Sequence, residues 1–198
     1  MLIKVVGLTG PTGAGKSTAA EMFRSLGAEI IDCDRLAGNV LTMPECVDAL
    51  KKAFGDDIAP GGSVNRRLLA ERAFRSPEET EKLNGITHPA IIREMERRIR
   101  AGKEAGVPMV LVDGALLFES GVYRSLDTTI AILADRELRL RRVMERDGLS
   151  RKQAEERAEA QKDDAYYCER AGYLLNGGEG PEFLEKQVRA LFRRIMEE

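Results

Sequence analysis

The chain of 198 residues has no tryptophan, a single histidine and three cysteines, and each scarcity closes off a class of chemistry. With His88 alone, neither a multi-histidine metal centre nor a second catalytic imidazole can be built. Cys33, Cys46 and Cys168 are widely separated, odd in number and outside any CxxC or Cys/His spacing, which reads as reduced thiols rather than a zinc site or a disulfide framework. Charge of one sign is lacking as well. Against 33 acidic residues stand 31 Lys and Arg, a net charge of −2, so no bulk field recommends nucleic acid or an anionic membrane, and an anion must be bound locally. No apolar run approaches the roughly 18 residues of a membrane span. The apolar N-terminal stretch runs into glycines instead of a signal-peptide cleavage region, so the expected compartment is the cytoplasm.

What is present is ordinary for a folded domain, with 43% hydrophobic and 32% charged residues. Five short runs rich in β-branched and apolar residues read as buried parallel strands: LIKVVGLT at 2–9, AEIID at 28–32, MVLVD at 109–113, TTIAIL at 128–133 and YLL at 173–175. Segments with helical spacing separate them, near 16–26, 44–54, 66–103, 136–146 and 150–164. A last helix opens at Pro181, and Ser76 with Glu79 forms a capping-box pattern. The order predicts an α/β fold, a parallel five-stranded sheet flanked by helices. A crossover needs only about a dozen residues. The strand-free interval between the second and third runs is far longer, so it is expected to carry an inserted helical lobe. The predicted division is a core of 1–34, 109–134 and 165–198, a substrate lobe of 35–108 and a lid of 135–164, all in one domain.

Residues 10–17 read GPTGAGKS, a match to G-x-x-x-x-G-K-[ST] placed after a strand and before a helix. Glycines let the backbone curl until several N–H groups face one anion, and the following helix adds its positive end. The fold is therefore expected to be that of a P-loop NTPase. Gly13, Ala14, Gly15, Lys16, Ser17 and Thr18 are the candidate ATP contacts, with Lys16 on the terminal phosphates and Ser17 on Mg²⁺. A glycine-rich turn without a ligand is the competing reading. No Asn-Lys-x-Asp guanine reader occurs, which lowers the case for a GTPase.

Two carboxylates and a set of arginines extend the site. Asp34 follows the second strand, where an open α/β sheet presents its crevice, and there it would take the proton of an acceptor hydroxyl; capping a helix that begins at Arg35 is the alternative. Asp113 ends the third strand as a Walker-B carboxylate would, reaching the metal directly or through water, although a turn at Asp113-Gly114 explains the same letters. Arg142 and Arg146 are four apart on a helix and share a face, with Arg139 one turn earlier. They would close over phosphate, or else pair in solvent with Glu137, Glu145 and Asp147.

Taken together, GLTGPTGAGKST at 7–18, IIDCD at 30–34, NRRLLAERAF at 65–74, HP at 88–89, LLFE at 116–119 and RRVMERDGLS at 141–150 resemble bacterial dephospho-CoA kinases. The resemblance implies transfer of the ATP γ-phosphate to the ribose 3′-hydroxyl of dephospho-CoA, the last step of coenzyme A synthesis, with Mg²⁺. It implies catalytic roles for Lys16, Asp34 and Arg142, and ATP contacts from Arg142, Arg146 and Asn176. It also implies substrate contacts from Asp34, Arg66, Phe74, His88, Pro89 and Gln161, although a lone histidine before proline fits a packing role equally. Departures from the family pattern are Ala115, where proline is usual, Pro11-Thr12, where Gly-Ile is common, and the stretch 161–180, of which Asn176 and its glycines keep the turn near adenine. Another small-molecule or nucleoside kinase, and a non-catalytic ATP-dependent regulatory module, are the other readings. The expected state is a monomer or weak homo-oligomer without nucleic acid or membrane partners.

Overall fold

The computed structural model describes residues 3–198; Met1 and Leu2, the latter within the first expected strand, lie outside the described residues. In chain order the elements are β1 (Lys4–Thr9), α1 (Lys16–Ser25), β2 (Glu29–Asp32), α2 (Cys33–Val40), α3 (Pro44–Phe54), α4 (Arg66–Ala73), α5 (Pro77–Glu104), β3 (Met109–Asp113), β4 (Thr128–Leu133), α6 (Arg136–Asp147), α7 (Arg151–Glu159), α8 (Asp164–Cys168), β5 (Tyr173–Asn176) and α9 (Pro181–Glu197). The chain divides into two compact units. One comprises residues up to Asp32 together with Ala101–Glu198, and the other comprises Cys33–Arg100.

The first unit is built on a five-stranded parallel sheet in the order β2-β3-β1-β4-β5. β1 and β3 are almost wholly buried, which is why their sequences are near-continuous apolar runs rather than alternations. On one face, α1 and α9 pack through Ala19, Ala20 and Phe23 against Leu184, Val188, Leu191 and Ile195, with the Phe23 and Phe192 rings 6.4 Å apart. Each large side chain buried in this way stabilises the fold by roughly 1.5–3 kcal/mol before the cost of ordering it. A smaller cluster joins Phe118, Ala131 and Tyr167, and burial raises the Tyr167 phenol to about 12. α6 and α7 share their own apolar seam of Leu140, Val143 and Ala154.

The second unit is helical. Its buried side chains include Leu36, Val40, Val47, Leu50, Phe54, Ile58 and Leu69. The Asn65 side chain accepts the Leu68 N–H at 3.1 Å and so caps α4. Arg72 grips the Asp57 carboxylate with both ends of its fork, at 2.8 and 2.5 Å, and also donates to the Phe54 carbonyl, which fixes α4 against the turn that follows α3. At the start of α5 the Glu79 N–H donates to the Ser76 hydroxyl at 3.3 Å, one half of the expected capping box, while the Glu79 carboxylate accepts from Lys82 at 2.7 Å. Pro89 lies inside this helix and withholds the N–H that would meet the carbonyl of Gly85 four residues earlier.

Local expectations differ from the structure at three places, the first being the interval 66–103, which holds two helices, α4 and α5, separated at 74–76. The stretch 150–164 is not one helix. α7 ends at Glu159, and Asp163 caps a separate α8 by accepting the Tyr166 N–H at 2.9 Å. A well-placed Asp offers the backbone a new helix start, and this competes with continuing the old helix. In addition, α2 begins at Cys33, so Asp34 stands in its first turn and is not the cap of a helix opening at Arg35.

Candidate functional site

The phosphate loop occupies residues 10–15, between the end of β1 and the start of α1. The N–H groups in the first turn of α1 have no intrahelical acceptor and carry the positive end of the helix dipole, so the loop and Lys16, Ser17 and Thr18 make an anion cradle. Ser17 and Thr18 are exposed there, with their hydroxyls available. The parallel register of β1 with β3 sets Leu8 opposite Asp113 and brings the two strand ends together. Lys16 Nζ donates to Asp113 Oδ1, with the two side chains only 20% and 11% exposed. The strand-end carboxylate therefore holds the loop cation, an ion pair that a polyanionic ligand would compete for.

Gly13 and Gly177 are two of the points around this loop that require glycine. Gly13 has φ 79, and a Cβ on it would stand 2.6 Å from the Arg139 carbonyl oxygen. Gly177 lies so close to Ala14 that a Cβ would overlap its carbonyl oxygen. The first contact docks α6 on the loop, and the second docks the β5–α9 turn. Arg142 Nη1 reinforces the first by donating to the Gly13 carbonyl at 3.2 Å.

Between them lies a cavity of about 260 Å³ lined by Gly15, Thr18, Arg142, Gly177, Gly180, Pro181 and Leu184. Asn176, the residue before Gly177, is outside this lining and is bonded within its own turn. Its Oδ1 accepts the Gly178 N–H at 2.8 Å, and its Nδ2 donates to Glu179 at 2.9 Å. Gln187 pairs with both backbone groups of Asn176, at 3.0 and 2.8 Å, as a neighbouring strand would. Gln187 carries no sequence signal, because one polar residue on an amphipathic helix looks like any other.

The two arginines expected to act as a pair have different partners. Arg142 faces the loop, whereas Arg146 forms a fork with its neighbour Asp147 at 2.7 and 2.8 Å. Arg157 completes that cluster at 2.7 Å, and hydrogen bonding to Arg146 draws the Asp147 carboxyl down to about 2. Arg139, one turn before Arg142, is 12% exposed and donates to Asp164 at 3.1 Å. Gln161, in the turn between α7 and α8, accepts the Thr12 N–H of the loop at 2.8 Å.

The remaining candidates belong to the helical unit. Asp34 is exposed in the first turn of α2. Arg66, the first residue of α4, donates to the Gly38 carbonyl at 3.1 Å, one turn along α2 from Asp34. Phe74 leaves α4 with its ring 66% exposed, and His88 and Pro89 are exposed on α5.

Known proteins resemble this chain in sequence and fold. The dephospho-CoA kinase family profile matches residues 4–182. The dephospho-CoA kinase of Corynebacterium diphtheriae is 37% identical over 98% of each chain, and that of Syntrophotalea carbinolica is 36% identical over 97% of this chain and 92% of its own. Among solved structures, TT1252 from Thermus thermophilus superposes with a TM-score of 0.84 at 32% identity, covering 98% of this chain and 99% of its own. A shikimate kinase from Acinetobacter baumannii, at 17% identity and a TM-score of 0.58 over 98% of this chain and 94% of its own, shares the fold alone. The chain belongs to the dephospho-CoA kinase family.

Proposed function

We infer that this protein transfers the γ-phosphate of ATP to the 3′-hydroxyl of the ribose of dephospho-CoA, yielding coenzyme A and ADP. The observation that carries this reading is the family match over residues 4–182, which spans both the intact phosphate loop and the Asp34 segment. The loop and the α1 N-terminus bind the triphosphate, and Lys16 leaves Asp113 to meet the terminal phosphates. The cavity beside Gly15, Thr18 and Arg142 takes the nucleoside end of ATP. Its walls there are mainly backbone and aliphatic, which supports base recognition by main-chain groups.

Asp34 accepts the proton of the 3′-hydroxyl as that oxygen bonds to the γ-phosphorus. The bond from phosphorus to the β–γ bridging oxygen breaks, and ADP leaves. Arg142 stabilises the charge in transfer; Arg146 joins it only by giving up Asp147. Arg66, Phe74, His88 and Pro89 are assigned to the acceptor. The exposed ring of Phe74 is the strongest of these, because a bare aromatic surface suits stacking on adenine or packing on the pantetheine arm.

The Ser17 hydroxyl on the first turn of α1 and the Asp113 carboxylate, direct or through water, would hold Mg²⁺. No group of three His, Cys, Asp or Glu side chains among the described residues forms a metal cage, but Mg²⁺ bound to ATP keeps most of its waters and needs only one or two protein ligands. Bound there, it would neutralise phosphate charge. The cytoplasm is the compartment this activity fits.

The test is a coupled ADP-release assay with dephospho-CoA, nucleosides, nucleoside monophosphates, pantothenate and shikimate as acceptors. Release with dephospho-CoA well above the others is expected. Preference for any other acceptor would replace this reading.

A further inference from the structure

The turn between α7 and α8 is bonded to the phosphate loop across 149 residues of sequence, through the Thr12 N–H and Gln161 Oε1 at 2.8 Å. A count of donors gives this bond its meaning. Pro11 has no N–H, the Thr12 N–H is held by Gln161, and the Ala14 N–H returns to the Pro11 carbonyl at 3.2 Å. Three of the four residues that follow Gly10 therefore offer no backbone donor to a ligand. The donors left for phosphate are concentrated toward Gly15 and the first turn of α1. A loop of this kind works by having its N–H groups converge before the anion arrives.

α6, to which this turn is tied, grips the loop at a second point. The Arg139 backbone packs on Gly13, Arg142 donates to the Gly13 carbonyl, and the Arg139 guanidinium reaches Asp164 at the head of α8. Gln161 and Asp164 thus anchor the two sides of one short turn, one to the loop and one to the helix lying against it. The break of the helix at 160–163 is what frees the Gln161 side chain for this bond.

We propose that Gln161 is a positioning residue that holds the phosphate loop in its anion-binding curl, so that it serves ATP and not dephospho-CoA. The proposal rests on the kinase reading above for its kinetic test, and on the loop geometry alone for its binding test. Losing one such bond should weaken binding by roughly three- to tenfold, the range of a single net hydrogen bond.

The experiment compares wild type, Gln161→Ala and Gln161→Glu, with thermal melts to establish folding, ATP binding by calorimetry, and KM for each substrate. Gln161→Ala is expected to raise the Kd and KM for ATP by that factor and to leave the KM for dephospho-CoA unchanged. Gln161→Glu keeps an acceptor for Thr12 and should recover part of the ATP affinity. A raised KM for dephospho-CoA with unaltered ATP binding would overturn the proposal in favour of a substrate contact, as would unchanged constants for both. If wild type binds ATP but does not phosphorylate dephospho-CoA, the functional reading fails and the calorimetric comparison still decides the role of Gln161. Should the alanine variant fail to fold, Gln161→Met, which keeps the side-chain length and lacks the oxygen acceptor, takes its place: weaker ATP binding with the acceptor constant unmoved supports the proposal, and unchanged binding overturns it.

Discussion

The phosphate-loop unit and the helical unit use their functional residues in opposite ways. Around the loop, the candidates are tied down: Lys16 to Asp113, Arg142 to Gly13 and Gln161 to Thr12, with glycines wherever two backbones touch. In Cys33–Arg100, Asp34, Phe74 and His88 stand exposed, and Arg66 donates to the Gly38 carbonyl. A triphosphate is the same ligand in thousands of enzymes and can be met by a preformed cradle. An acceptor is particular to its enzyme, and the proposed contacts to it are exposed side chains on helices.

The sharpest way to test that contrast is one substitution in each unit. Asp34→Asn keeps the shape of the side chain and removes its basicity, so turnover should fall by about 10²–10⁴-fold with ATP affinity nearly intact. Lys16→Ala should lower transfer by about 10²–10³-fold and also weaken ATP binding, because it deletes a charge from the cradle itself. Calorimetry with ATP beside steady-state kinetics separates the two patterns. Should Asp34→Asn weaken ATP binding as much as Lys16→Ala does, the division of labour between the units collapses.

That division also explains what the sequence discloses. The strands at 109–113 and 128–133 and the helix at 44–54 have the bounds that periodicity predicts, because burial on a sheet or a helix face imposes a regular pattern. The phosphate loop is legible because backbone curvature demands glycine at fixed places. The split at 160–163 is not, since an Asp that caps α8 looks like any charged residue within a helical run. Nor are the partners of Arg142 and Arg146. Spacing puts both on one face, but whether an arginine meets a carbonyl of the loop or its neighbouring aspartate depends on tertiary approach.

A smaller effect is expected within the α6 segment. Arg142→Ala should reduce transfer by about 10–10²-fold, since it removes the donor proposed to meet the developing charge, and Arg142→Lys should recover only part because it lacks the planar fork. Arg146→Ala should cost less. Its guanidinium is already committed to Asp147, so its loss is first felt in the α6–α7 cluster with Arg157. Steady-state rates at saturating ATP, with melts alongside, rank the three. Equal losses at 142 and 146 would mean that both reach the phosphates during turnover.

The smallest expected effect lies in the helical unit and involves acid rather than catalysis. Glu94 on α5 is 13% exposed and accepts from Arg97 at 2.7 Å and from Arg98 at 2.9 Å. Hydrogen bonds from these two arginines draw its carboxyl from 4.5 to about 2. A carboxyl whose folded value is depressed releases its proton more readily in the folded state, so it stabilises the fold above its unfolded value. That contribution is fully present at neutral pH and is lost as pH falls from about 4.5 through about 2. Both arginines lie within four residues on the same helix, where such pairs contribute only about 0.3–0.5 kcal/mol each, so the shift in melting temperature should be small. Glu94→Gln removes the titrating group and keeps the side-chain length. Its melting temperature should lie slightly below wild type at pH 7, and the gap should narrow as pH falls through that window. A gap that stays constant from pH 7 to pH 2 would show that the glutamate contributes by packing alone, and that the helical unit owes none of its acid sensitivity to this cluster.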